Sequence, residues 1–147
     1  MKTLTENLKQ WRADRNINNS SYPEFVKCIL EELLEPCFTK EEVEFRTKKI
    51  YDEHFYSLEW GLKTNELRVL DTIKDIKVFC INETELMGYD DTKTDSEVLK
   101  HINCRKQDPI QKEQWEKFGP YGKWQKDKNQ DPEEIYEPDY ASCKCLQ

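Results

Sequence analysis

Two pairs of carboxylates, Glu32 with Glu35 and Asp71 with Asp75, fall one turn apart if the segments that carry them are helical. Like charges at that spacing repel, so a bound cation turns a cost into a gain. Mg²⁺ takes oxygen ligands in near-octahedral geometry, keeps several waters and commonly bridges to substrate phosphates, which two acidic pairs on facing helices suit. Iron sites in helical bundles use Glu-x-x-His, and neither His54 nor His101 has a Glu three residues before it, which disfavours iron. The plainer alternatives are a solvated acidic face around Glu31 to Glu35, and internal ion pairs from Asp71 and Asp75 to Arg12, Arg46 or Arg68.

The elements that must position these acids read as helices. Of four Gly, none precedes Gly61, so the first sixty residues lack hairpin punctuation. Thr3 or Thr5 caps a first helix with Leu4, Leu8 and Trp11 at helical spacing. Ser20 or Ser21 starts a second, with Pro23 in its first turn, Glu24 placed for a capping box, and Pro36 ending it after about Glu35. On it Phe25, Val26, Ile29, Leu30, Leu33 and Leu34 cover one arc, and Glu24, Glu31, Glu32 and Glu35 cover the opposite one. Thr39 begins a third helix with Glu41 and Glu42 in its first turn, and Gly61 separates it from a fourth, about Asn65 to Met87, closed by Gly88. Apolar residues ring that fourth helix from Leu67 to Leu86, which predicts burial, and Asp71, Asp75 and Asn82 share one stripe on it.

A shorter helix follows from Ser96 to Cys104. Beyond Lys106 no period is sustained, and Pro109, Pro120, Pro132 and Pro138 predict a loop-rich tail. The fold class is therefore all-α: a bundle of four to five helices in a single domain spanning 1–147, with a helical core over about 4–104 and an extended basic tail over about 105–147.

Composition narrows the classes of function. Net charge is -7 on 147 residues, unevenly spread: residues 1–99 carry 14 Lys/Arg against 21 Asp/Glu, whereas 100–128 carry eight against four. An acidic body beside a basic segment suits a cation site next to an anion site, not a nucleic-acid binder, whose footprint is basic overall. Mean hydropathy is -0.98, yet four Trp, seven Tyr and six Phe supply surface for a folded core. No run approaches the ~20 apolar residues that span a bilayer, and the N-terminus shows no signal-peptide core, so a soluble, cytoplasmic chain with its six cysteines reduced is expected. Cys143-Lys-Cys145 is too tightly spaced for the usual zinc pair.

These residues resemble the MazG-like, all-α nucleoside triphosphate pyrophosphohydrolases, especially the short phage-type members. That family's Glu-Glu-x-x-Glu helix corresponds to Glu31-Glu32-Leu33-Leu34-Glu35, and its second acidic helix to Asp71-Thr72-Ile73-Lys74-Asp75 followed by Asn82. Trp11-Arg12-Ala13-Asp14-Arg15-Asn16 resembles the first helix of phage members. Gly122-Lys123-Trp124-Gln125-Lys126 and Tyr136-Glu137-Pro138-Asp139-Tyr140 resemble their Gly-Lys and Tyr-x-Pro tail. Thr72 departs from the pattern, standing where many members carry an acid.

The resemblance implies hydrolysis of an NTP or dNTP to the monophosphate and pyrophosphate, in nucleotide-pool control. It implies Mg²⁺, with Mn²⁺ as a possible substitute, held by Glu32, Glu35, Asp71 and Asp75, and a catalytic role for Glu32 and for Glu31, as a ligand or as the group that orients or deprotonates water. Asn82 would contact sugar or base, and Arg105, Lys106, Lys123 and Lys126 would complete the clamp on triphosphate. Trp11, Trp115 and Trp124 are candidates to stack a base. It also implies a homodimer or homotetramer, and a host-cytoplasmic location for a phage-encoded chain. The rival classes are a non-catalytic helical binding protein whose acidic face meets a basic partner, and a hydrolase of a nucleotide alarmone or other phosphoanhydride.

Overall fold

In the computed structural model, which describes residues 2–15, 17, 22–56 and 65–146, the chain is built from α-helices, with no strand among the described residues. The helices are α1 (Leu4–Ala13), α2 (Tyr22–Leu34), α3 (Lys40–His54), α4 (Glu66–Leu86), α5 (Asp91–Cys104) and α6 (Pro109–Phe118), followed by single 3₁₀ turns at Pro132–Glu134 and Tyr140–Cys143. None is long and apolar enough to cross a membrane.

Local chemistry sets the boundaries. Thr3 and Thr39 each close a capping box, with Glu6 and Glu42 respectively, which satisfies orphan amides at the starts of α1 and α3. The expected caps Ser20 and Ser21, and the separator Gly61, lie outside the described residues. Helix α5 begins at Asp91, five residues before the Ser96 start read from sequence, because the Asp90 carboxylate caps it by accepting from the Lys93 amide. Helix α6 was not expected at all. Asp108 caps it by accepting from the Gln111 amide, Pro109 occupies its first turn, where a missing N–H costs nothing, and Gly119 at φ 86 ends it.

The described residues fall into two compact units, 20–77 and 1–19 with 78–147. This division does not follow a core-and-tail boundary near residue 104: α1, α5 and the tail share a unit. In the first unit α2 and α3 form a helical hairpin around Val26, Val43, Thr47 and Tyr51. Lys27 Nζ lies 4.5 Å from the Tyr51 ring centroid, and Arg46 lies 4.0 Å over Phe38.

The second unit is held by polar groups. Its buried side chains are Glu97, Gln111, Gln130 and Cys143. Gln130 donates to the Cys104 carbonyl at 2.7 Å and accepts from the Lys106 amide at 2.9 Å. Gln111 donates to the Lys123 carbonyl at 2.7 Å and accepts from the Gln125 amide at 2.8 Å. Two amide side chains thus staple the stretch after α6, Gln130 to the α5–α6 connection and Gln111 to α6 itself, leaving few buried polar atoms without partners.

The predicted burial of α4 is not met. It has no buried residue, and Leu67, Phe79 and Leu86 are 79%, 69% and 80% exposed. A helix apolar around its circumference needs cover on several sides, and one chain does not supply it.

Candidate functional site

Glu31 and Glu32 lie on the last turn of α2 and Glu35 just beyond it. Glu32 and Glu35 are exposed and Glu31 is half-buried. Asp71 and Asp75 lie on the first half of α4, both exposed. Among the described residues no group of three or more His, Cys, Asp or Glu gathers as a metal centre would require, so Glu32, Glu35, Asp71 and Asp75 do not converge within one chain. Their separation follows from the α4 result, since an uncovered helix cannot press its acidic stripe against another element.

The ion-pair alternative is not met either. Glu32, Glu35, Asp71 and Asp75 make no ion pair among the described residues, and Arg46 is occupied by the Phe38 ring. Each acidic pair therefore stands in water with its mutual repulsion uncompensated.

The remaining predicted residues belong to the second unit. Asn82 is exposed on α4. Lys106 forms an ion pair with Glu134 at 2.6 Å, which holds its ammonium pKa above the ordinary lysine value. Lys126 is exposed beside a bridge to Gln107, and Lys123 is exposed with its carbonyl taken by Gln111. Arg105 follows α5, and its backbone carbonyl accepts from Arg15 Nη2 at 3.2 Å.

Sequence reasoning missed two features of this unit. Arg15 donates through Nη1 to the Trp11 carbonyl at 3.2 Å, and its guanidinium lies 4.5 Å from the Trp11 ring centroid and 5.6 Å from that of Trp124. The two indoles meet edge to face at 5.3 Å, and neither buried Nε1–H has an acceptor. Partial burial lowers the Arg15 pKa, with Asp14 opposing the shift. Trp11 and Trp124 are therefore a platform for a cation, and only the Trp–Arg pairing within residues 11–15 hinted at it.

The second feature is Glu97, 8% exposed on α5. Its carboxylate accepts from Lys100, from the Tyr136 hydroxyl and from the Asp139 amide at 3.0 Å. Those bonds, led by Lys100, hold its pKa down at about 2. Nearby, His101 Nδ1 donates to the Tyr136 carbonyl at 2.7 Å and the Tyr136 amide donates to Cys104 Sγ at 3.1 Å. The Tyr-x-Pro stretch is thus an anchor onto α5, a purpose invisible without knowing that Glu97 faces inward.

Comparison of the chain with protein-family models, with curated proteins and with solved structures finds no match in any of the three.

Proposed function

We propose that the chain is a Mg²⁺-dependent nucleoside triphosphate pyrophosphohydrolase of the MazG-like type, acting as a homodimer or homotetramer. The carrying observation is acids without cations: Glu32 with Glu35, and Asp71 with Asp75, each one turn apart, exposed, and free of ion pairs among the described residues. In donor chemistry they fit Mg²⁺ or Mn²⁺, for which one or two carboxylates suffice when phosphate oxygens and water complete the sphere. In assembly a single chain falls short, so the reading requires a second copy. An α4 laid against the uncovered apolar surface of another α4 would bring further acidic pairs alongside.

Bound Mg²⁺ would neutralise phosphate oxygens and lower the pKa of the attacking water. Glu31 or Glu32 then orients that water or takes its proton as it attacks the α-phosphorus, the bond from that phosphorus to the bridging oxygen breaks, and pyrophosphate leaves. The resemblance assigns Arg105, Lys106, Lys123 and Lys126 to its charge and Asn82 to sugar or base, and Lys106 would first have to leave Glu134.

One observation favours a second reading, a non-catalytic binding protein. Burial of Asp71 and Asp75 would argue against it, and both are exposed. A chromatographic assay of NTPs and dNTPs with Mg²⁺ separates the two. The proposed enzyme yields monophosphate and pyrophosphate from at least one substrate, EDTA stops it, and Glu35→Gln and Asp75→Asn each lower the rate by about 100-fold or more while circular dichroism is unchanged. Orthophosphate release alone contradicts the bond assignment, and a blank panel leaves the binding reading standing.

A further inference from the structure

Two adjoining cavities open in the second unit, and Trp115 lines both. The larger, about 930 Å³, has Arg15, Arg105 and Lys112 in its wall. The smaller, about 540 Å³, is aromatic, with Phe118 and Tyr121 beside Trp115 and exposed to 85% and 86%. Trp115 is fixed by its Nε1–H, which donates to the Tyr121 carbonyl at 2.9 Å. Both volumes fall in the usual range for small-molecule sites.

The larger cavity is lined by the cations Arg15, Arg105, Lys106 and Lys112 and by the acids Asp14, Glu116 and Asp127. Asp14 accepts from Gln10 at 2.7 Å and Asp127 from the Asn129 amide at 2.9 Å, neutral donors that leave both charges in place, and Lys106 is paired with Glu134. Arg15 is held by two carbonyls and two indole faces, none of which neutralises its charge. Arg105 and Lys112 make no ion pair among the described residues, although Glu116 lies one turn from Lys112 on α6. A preset, partly desolvated Arg15, with Arg105 and Lys112 on the same cavity and an aromatic shelf beside it, is complementary to a planar ring carrying phosphate.

We propose that these cavities form one site for a nucleotide, with its phosphates on Arg15, Arg105 and Lys112 and its base against Trp115, Phe118 and Tyr121. The site needs neither divalent metal nor the carboxylates of α2 and α4. It rests on the proposed function only in taking nucleotides as the ligand class, and a protein without turnover would still bind here.

Calorimetry in EDTA with three probes tests it: adenosine for the ring, inorganic pyrophosphate for the charge, and ADP for both. ADP is expected to bind at least about tenfold more tightly than either fragment, because joining two binding elements makes the second contact intramolecular. Arg105→Gln, which keeps the backbone carbonyl that Arg15 uses, should remove the advantage of ADP over adenosine, and Lys112→Gln should reduce it. Trp115→Leu should remove the advantage over pyrophosphate, with circular dichroism checking the fold. Lys128→Gln, outside both cavities, should change nothing. ADP that binds no better than its fragments, or equally well to the Arg105 and Lys112 variants, overturns the proposal whatever the hydrolysis assay returns. Retained ADP binding beside a blank hydrolysis panel overturns only the hydrolase reading.

Discussion

Glu97 shows what one inward carboxylate does for this chain. Its folded pKa of about 2 lies below the ordinary glutamate value of 4.5, so it stabilises the fold above about pH 4.5, and that contribution is lost as pH falls toward 2. Acid unfolding should begin in that window, and Glu97→Gln or Tyr136→Phe should flatten the pH dependence of the melting temperature there while lowering it at pH 7. Thermal melts across pH 2–7 check this; identical profiles for wild type and variants would remove Glu97 from the acid response. In the sequence the residues that carry this anchor read only as a Tyr-x-Pro tail. Nothing in their spacing says that Tyr136 reaches back 39 positions to a carboxylate, because long-range polar contacts leave no period. The acidic pairs are the opposite case. Their one-turn spacing was legible, since it needs only the helix geometry, whereas their gathering around a cation depends on tertiary packing that a linear pattern does not encode.

At the level of elements, the helices whose ends carry local chemistry were the legible ones. Thr39 with Glu42 marks the start of α3 as a capping box, and Gly88 follows the end of α4. Thr39→Ala should cost about 1 kcal/mol, read as a lower denaturant midpoint with an unchanged slope. Its amide bond to the Glu42 carboxylate at 2.9 Å survives the change, so a loss well beyond that size would mean the α2–α3 hairpin depends on more than the cap. Helix α6 is hidden in the sequence because Pro109 and Pro120 read as breakers. Pro109 instead sits where proline is tolerated, and the helix is short, with Ile110 and Phe118 largely exposed, so no apolar stripe advertised it. The predicted burial of α4 fails for a different reason. Periodicity reports how much of a helix needs cover, and says nothing about which molecule provides it.

For the whole molecule, the uncovered surface of α4 sets the expectation of self-association, since contiguous exposed apolar patches mark interaction sites. Sedimentation equilibrium should give a mass of at least twice 17.7 kDa, and replacing Phe79 and Leu86 with Ser should return the chain to a monomer. A wild-type monomer at micromolar concentration would end the oligomeric reading and with it the shared metal site. The stretch beyond α6 raises a separate point. It is fastened through Gln111, Gln130, Glu97 and Tyr136, with Trp124 packed on Trp11 and Cys143 buried. Uncovering hydrocarbon raises heat capacity and uncovering polar groups lowers it. Apart from the Trp124 contact, detachment of this segment uncovers mostly polar groups, so its heat-capacity change should be smaller than that of an oily core of equal length, and chilling should loosen it less.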